Sequence, residues 1–430
     1  MKVPLEEVPT HQFLRTTRSS MVNYLNRLRS AYARFVDIRN ADDIFSHYVW
    51  VHGNTSGIGL HSPAQRWKQT LFRSISFVFA LQQLVLVRDV IDAMSRTDDL
   101  TIRIGMCLIY STLSMLQLVC MDLRYDLFLR VKDYFNGRRD RCCGGRDADQ
   151  TRAEFFRQSR RNLLVAEIPV TIMSLIWAFF AREEYFHLVW NVSEEHQWIV
   201  DAIDQFYGLP LVYWNNSSWI ISLSMMSTLR NAVHELSLIA ESFATVFARA
   251  SQKVQHIADP TAKETQFWTT FDQLFRESLK DYEEFLAMIV TLRKLMSLFF
   301  LLKVLTVESL LAVTCFTTFN ITFQVFTALA YAIVFTIECF LLCKLVEQLN
   351  DQKESIGENL YHWQWPDWLR HTPERAARMR RMKITTMITA EHCQKTFRFR
   401  CGDMLDVSME MFQMVLNTCY TLLTFLQATN

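Results

Sequence analysis

The chain contains few of the residues that interrupt helices: its 430 residues include only 10 glycines and 8 prolines. No stretch keeps the alternation of apolar and polar residues that marks a half-buried β-strand. Half of the residues are hydrophobic, and the uncharged runs are too long for soluble strands or for the core helices of a soluble protein. These features exclude a β-sheet protein and predict an all-α protein that crosses a membrane several times.

Other absences exclude classes of function. The formal net charge is only +1, so no overall field would attract nucleic acid. The ten cysteines include no C-x-x-C pair, which argues against a disulfide or zinc framework. The motifs H-E-x-x-H and G-x-S-x-G and the Walker loop are missing. We therefore expect no enzyme activity, no cofactor, no metal site and no nucleic-acid partner. The polar, basic first 68 residues also predict no cleavable signal peptide.

The uncharged runs predict seven transmembrane helices. They lie at 74–87, 104–121, 162–181, 206–228, two within 295–343 that turn near Asn320, and 407–430. Glu167 and Pro169 are expected to break the third span. Before the first span, the pattern of residues 21–35 predicts an amphipathic helix, and residues 42–68 are expected to be irregular.

The charges of the loops predict the orientation. Basic residues outnumber acidic ones in the N-terminal segment and in the segments 122–161 and 366–383, whereas the loop 182–204 is acidic. Because basic loops stay in the cytoplasm, the N-terminus is expected inside and the C-terminus outside. The resulting division has six parts: a cytoplasmic N-terminal region 1–68, spans one to four in 69–228, a cytoplasmic helical extension 229–294, spans five and six in 295–343, a cytoplasmic anchor region 344–402, and the last span in 403–430.

The last span carries a polar stripe with a spacing of three or four residues, which places the stripe on one helical face. Its members are Asp406, Glu410, Gln413, Asn417, Thr421, Thr424 and Gln427. Unpaired polar groups are costly against lipid, so this face must meet protein or water. Two interpretations are open: a helix buried in a bundle, or a pore-lining helix whose acidic entrance at Asp406 and Glu410 favours cations.

Two other groups of residues in the spans have alternative interpretations. Charged residues inside a membrane are functional candidates by default, but they can also serve helix packing. The charged candidates are Glu167, Lys303, Glu308 and Glu338. The aromatic residues near the outer ends of spans three and four form either an interfacial belt or the lining of an apolar pocket for a small volatile molecule.

The second half of the chain resembles the insect odorant receptor family. The order of several short motifs carries the resemblance: Cys343, Glu354-Ser355, the segment YHWQW at 361–365, the basic stretch 378–383, Gln394-Lys395-Thr396, Gly402, Phe412 and Tyr420-Thr421. The chain departs from the family pattern at three positions, where Thr396 replaces a proline, Thr421 a serine and Tyr282 a histidine. The family's glycine after Cys343 is also missing.

The resemblance implies an odorant-specific subunit of a ligand-gated, nonselective cation channel in the plasma membrane of olfactory sensory neurons. Such a subunit joins a shared co-receptor in a heterotetramer, with the last helix of each subunit around a central pore and the cytoplasmic anchor between subunits. By span position, the residues implied for an apolar volatile ligand are Tyr110, Met173, Trp177, Tyr213, Trp214, Phe326 and Tyr331. By alignment, Phe425 falls at the gate and Gln427 near the outer pore.

Three alternatives belong to other classes. A gustatory receptor would end in T-Y-x-x-x-x-x-Q-F, which Tyr420-Thr421 and Gln427-Ala428 match poorly. A secondary transporter would contain internal repeats and helices broken at mid-membrane, and only Pro169 suggests such a break. A purely structural membrane protein would not need the polar stripe.

Overall fold

The computed structural model describes residues 26, 30, 45–59, 66–94, 99–138, 146–180, 198, 209–317, 323–362, 373–402 and 404–429. The predicted all-α class is confirmed, because these residues form long helices and a single pair of two-residue strands. In chain order the elements are α1 (Ser46–Thr55), α2 (Arg66–Met94), α3 (Asp99–Leu123), α4 (Tyr125–Arg138), α5 (Arg146–Phe180), α6 (Leu209–Lys253), α7 (Pro260–Thr317), α8 (Phe323–Tyr361), α9 (Pro373–Gln394), β1 (Arg400–Cys401), β2 (Leu405–Asp406) and α10 (Met409–Thr429).

Seven of the helices overlap the predicted spans, namely α2, α3, α5, α6, α7, α8 and α10. Among the described residues, three helical stretches are both long and apolar enough to cross a membrane: Arg66–Ile91, Pro260–Ala312 and Leu329–Tyr361. A shorter apolar stretch is Cys107–Leu123. Helix α7 ends before Asn320 and α8 begins after it, at the position where the turn was predicted. The sidedness of the bundle stays a prediction.

The segment expected to be irregular contains helix α1, so that expectation is wrong for residues 46–55. The start of this helix is held against the bundle, because the ring of Phe45, the residue directly before it, packs edge-on against Phe128 of α4 at 6.0 Å. The chain then turns at Gly59, whose φ is +79°. A Cβ atom at Gly59 would lie 2.3 Å from the ring of Tyr125, so glycine is required there for close approach as well as for conformation. The predicted amphipathic helix 21–35 lies outside the described residues.

Helix α5 passes through Glu167 and Pro169 without interruption, so the predicted break in the third span is wrong. A proline removes one backbone hydrogen bond. In lipid, however, any irregular backbone would leave more polar groups unpaired than a continuous helix does, and the helix therefore persists.

Helices α6 and α7 continue well beyond the predicted fourth and fifth spans and join through a short turn. Pro260 is the first residue of α7, where its missing N–H costs nothing. Asp259 caps this end, since its carboxylate accepts hydrogen bonds from the backbone N–H groups of Thr261 and Ala262, each at 3.2 Å. The hydroxyl of Thr261 and these two amides lower the pKa of Asp259.

A buried charge cluster joins α4, α5, α6 and α7 in this extension. Arg152 of α5 places Nε and Nη2 on the two oxygens of Glu235 at 2.8 and 3.1 Å, a bidentate arrangement. Arg138, the last residue of α4, lies 3.8 Å from Glu235 and also donates to Asp281 of α7. All four side chains are buried and the charges balance, so the cluster fixes these helices to one another.

Candidate ligand site and last helix

Helix α10 has one buried and one exposed face. The buried face packs against α7 and α8 with Met411, Phe412, Val415 and Cys419. Glu410, Gln413, Asn417, Thr421 and Thr424 are exposed. The polar stripe of the last helix is therefore the face that this chain leaves uncovered.

The uncovered face borders an open groove of about 680 Å³. Its lining consists of Glu410, Gln413, Met414, Asn417, Thr418, Thr421 and Phe425. Phe425 lies at the C-terminal end of this groove and is 64% exposed. Met414 and Leu416 are also exposed. The packed face of α10 is therefore narrower than its set of apolar residues.

The threonines of this face present oxygen lone pairs to the groove. Each hydroxyl donates its proton to a carbonyl of its own helix: Thr418 to Met414 at 2.9 Å, and Thr421 to Asn417 at 2.8 Å. Thr424, which is exposed but does not line the groove, donates to the carbonyl of Thr421 at 2.9 Å. With the proton used in this way, the hydroxyl can only accept toward the groove. The acidic residue of the groove lining is Glu410.

Asp406 does not belong to the helical stripe, so the predicted extension of the stripe to this residue is wrong. It lies in β2, opposite Arg400 of β1, and the two side chains form an ion pair at 3.4 Å. Helix α10 starts later because Ser408 caps it, accepting the N–H of Met411 at 3.1 Å. The acidic residue on the helix itself is Glu410.

A polar network joins four helices in the part of the bundle where the ligand site is predicted. At its centre is Asn215 of α6, which is buried. The hydroxyl of Tyr110 on α3 donates to Oδ1 of Asn215. Nδ2 of Asn215 donates to Oγ of Ser174 on α5 and lies 3.4 Å from the hydroxyl of Tyr331 on α8. The network therefore brings together two of the predicted residues, Tyr110 and Tyr331.

Aromatic rings border this network. The ring of Tyr213 lies 5.0 Å from that of Trp214 and 5.3 Å from Phe79 of α2, both edge-on. The Tyr213 hydroxyl and Oγ of Ser76 are 2.7 Å apart. Trp214 is fully buried. This part of the bundle thus combines buried aromatic rings with a small number of hydrogen-bonded polar groups.

The sequence profile of the family described as 7tm odorant receptor matches residues 144–420, more than half of the chain. This chain belongs to the 7tm odorant receptor family. It is a family of receptors and channels rather than of enzymes. No curated protein sequence matches the chain.

Two solved structures have the same fold as this odorant receptor. The insect olfactory receptor OR5 from Machilis hrabei superposes with a TM-score of 0.63 at 10% sequence identity, over 94% of this chain and 99% of the other. The structure of the same protein in complex with eugenol superposes with a TM-score of 0.59 at 10% identity and the same coverage. The likeness establishes the multi-span membrane fold of this odorant receptor.

Four of the predicted site residues lie in helices, at positions where the structure does not describe the side chain. These are Met173 and Trp177 in α5, Phe326 in α8 and Gln427 in α10. Of the remaining ligand candidates, Tyr110 and Tyr331 contact Asn215, whereas Tyr213 and Trp214 contact each other and precede Asn215 on the same helix.

Sequence reasoning missed Asn215 and Ser174, which connect the predicted tyrosines. A signal was present: α6 contains the run NNSSW directly after Trp214, an unusual density of polar residues in a transmembrane span. Polar side chains in spans usually face the bundle interior and hydrogen-bond across helices. That rule points to Asn215 but does not say which neighbour it meets.

Close to the network, the receptor contains a buried ion pair. Nζ of Lys303 on α7 lies 2.9 Å from Oε2 of Glu338 on α8, and the two side chains are 1% and 2% exposed. The same Nζ lies 4.6 Å from the ring centroid of Phe335, which contacts the ring of Tyr110 at 5.7 Å. The two charged span residues are therefore mutual partners, adjacent to the predicted ligand site.

Proposed function

We propose that this receptor is the odorant-specific subunit of a heteromeric, ligand-gated, nonselective cation channel in the plasma membrane of olfactory sensory neurons. A small volatile molecule binds among the helices around Asn215, and binding opens a pore that the last helix lines. The partner is a co-receptor subunit of the same fold, and membrane lipid surrounds the assembly. The proposal requires no cofactor.

The uncovered polar face of α10 carries this proposal. A helix that packs one face on its own chain and leaves a continuous row of glutamate, glutamine, asparagine and threonine uncovered cannot meet lipid without a large free-energy cost. A water-filled channel between subunits satisfies that face. The lone pairs that Thr418 and Thr421 direct toward the groove support cation passage.

The ligand residues of this proposal are the predicted set: Tyr110, Met173, Trp177, Tyr213, Trp214, Phe326 and Tyr331. The contacts of Tyr110 and Tyr331 with Asn215 support it. Large aromatic side chains supply most of the contact area to an apolar volatile. The receptor OR5 has been solved in complex with eugenol, a small aromatic molecule, which supports a ligand of this size.

The gate of the proposed channel is Phe425. An apolar ring at a constriction blocks ions because an ion cannot lose its hydration shell there without polar ligands. Phe425 lies on the groove and is largely exposed in the single chain, so it is available to face the same region of neighbouring subunits. Opening moves Phe425 away from the axis and brings Thr424 or Gln427 toward it.

The test is current recording from cells that express the chain with an insect co-receptor, while a panel of volatiles is applied. Phe425→Ser is expected to raise the resting current or to shift odorant sensitivity, and Gln427→Lys to reduce cation permeation. Tyr420→Ser is the matched control, since Tyr420 is an exposed aromatic residue of the same helix that does not line the groove. If both test variants reach the surface with the co-receptor and conduct like the wild type, the polar face is not the pore.

A further inference from the structure

The indole nitrogen of Trp219 is a buried donor without an acceptor. Trp219 is 8% exposed. Among the described residues, nothing accepts a hydrogen bond from its Nε1, which is closed off from solvent. An indole N–H can only donate, and a buried donor without a partner raises the free energy of the state that contains it. The indole N–H of Trp219 therefore lacks one hydrogen bond that a bound molecule can supply.

Trp219 lies directly beside the predicted ligand site. It follows Asn215 by four residues and therefore lies on the same face of α6, one turn away. Its ring meets Phe335 edge-on at 6.2 Å. The ring of Phe335 also contacts Tyr110, whose hydroxyl donates to Asn215. An unbroken set of contacts thus leads from the polar network to the unpaired indole.

In the polar network itself, both polar atoms of the Asn215 side chain already have hydrogen-bond partners. Oδ1 of Asn215 already accepts from Tyr110, and Nδ2 of Asn215 donates to Ser174. The longest contact of the network joins Nδ2 to the Tyr331 hydroxyl at 3.4 Å, and it is the easiest to exchange for a ligand. Beside Phe335 the donor that lacks an acceptor is Trp219, and Nε1 of Trp214 is a second buried indole nitrogen with no acceptor among the described residues.

We propose that the site selects volatiles that carry a hydrogen-bond-accepting oxygen without a donor, such as ketones, and that Trp219 donates to this oxygen. The inference rests on the proposed function, because it specifies the ligand class of that site. Because Nε1 is buried, the ligand oxygen reaches it only in a state in which the neighbouring side chains have moved. A ligand that makes this bond only in the displaced state shifts the equilibrium toward that state, as an activating ligand must.

One competing acceptor lies close by. Oε1 of Glu338 is also buried without a partner among the described residues, while Oε2 is held by Lys303. If this oxygen faced the ligand, the preferred volatiles would be hydrogen-bond donors such as alcohols. Matched ketones, alcohols and hydrocarbons therefore separate the two possibilities.

The experiment uses the full chain with a co-receptor and measures odorant-evoked current and surface expression. The probes are 2-heptanone and acetophenone, their alcohols, and the hydrocarbon isosteres 2-methyl-1-heptene and α-methylstyrene, in which a methylene group replaces the carbonyl oxygen. In the wild type the ketones should be about tenfold more potent than the isosteres, the effect expected of one good hydrogen bond. Trp219→Phe keeps an aromatic ring but removes the N–H, and it should bring the ketones down to the potency of the hydrocarbons.

The matched control is Trp268→Phe, the same change in a buried tryptophan of the extension of α7. It should leave the ketone-to-hydrocarbon ratio unchanged. The proposal is overturned if ketones and isosteres are equally potent in the wild type, if alcohols outrank ketones, or if Trp219→Phe lowers all potencies alike. Because the first two comparisons need no variant, they decide the matter even if Trp219→Phe fails to reach the surface. Absence of any volatile-evoked current from a correctly assembled channel contradicts the proposed function instead.

Discussion

At the scale of single residues, the ion pair of Lys303 and Glu338 makes the sharpest energetic prediction. Both charges are buried between α7 and α8. Removing one partner leaves an uncompensated buried charge at a cost of about 3–5 kcal/mol, whereas replacing both by apolar residues of similar volume is often neutral. We therefore expect Lys303→Met or Glu338→Leu alone to lower surface expression and detergent-solubilised thermal stability strongly, and the double variant to recover most of both.

The control for this pair is Lys344→Met. It breaks the exposed ion pair between Lys344 and Glu347, which lie one turn apart on α8. Exposed pairs contribute little, so this variant should resemble the wild type. Additive losses in the double variant would contradict the assigned pairing, because residues that interact only with each other give strongly non-additive effects.

At the scale of elements, the two-strand hairpin before α10 depends on Gly402. Its φ is +55°, and its N–H donates to the carbonyl of Ser297 on α7 at 3.0 Å. A Cβ atom there would lie 2.7 Å from Cδ2 of Leu301. Gly402→Ala should therefore lower thermal stability through a clash and through backbone strain of the order of 1 kcal/mol. Adding Leu301→Ala should relieve only the clash.

Gly137→Ala is the control for the hairpin, since a Cβ atom at this helical glycine meets nothing within 4 Å. It should be neutral or slightly stabilising. Equal thermal stability of Gly402→Ala and the wild type would mean that the hairpin is not held against α7 as the contacts indicate.

The elements also explain how far the sequence could predict this protein. Long uncharged runs locate membrane helices because lipid permits little else, and so the turn near Asn320 and the continuation of α6 and α7 were predictable. Helix α1 was not, because the contact that holds its start against the bundle is with Phe128, a distant residue of α4. In the candidate site, the tyrosines were predictable by span position, whereas the contacts of Asn215 to three other helices depend on helix rotation, which spacing alone does not determine.

At the scale of the whole molecule, two surfaces that the described residues leave exposed bear on the proposed assembly. One is the polar face of α10. The other is an apolar patch on α9 formed by Ile384, Met387 and Ile388, spaced as one helical face, with Met387 and Ile388 60% and 62% exposed. The opposite face of α9 packs on α8. There Cys393 lies so close to Gly357 that a Cβ atom at Gly357 would be 3.3 Å from Cβ of Cys393. Contiguous exposed apolar surface of this kind typically marks a site of protein association.

We expect the patch on α9 to contact the co-receptor within the predicted anchor region 344–402. Met387→Glu combined with Ile388→Glu should reduce co-purification with the co-receptor about tenfold or more, because each carboxylate must be desolvated on association. Fold should be retained, since both side chains are largely exposed in the single chain, and a thermal unfolding profile of the solubilised subunit checks this. Thr269→Glu, on an exposed position of α7, is the control and should leave co-purification unchanged. Unchanged association of the double variant would place the subunit contacts within the membrane, along the faces beside α10, and the apolar patch on α9 would then have to meet lipid.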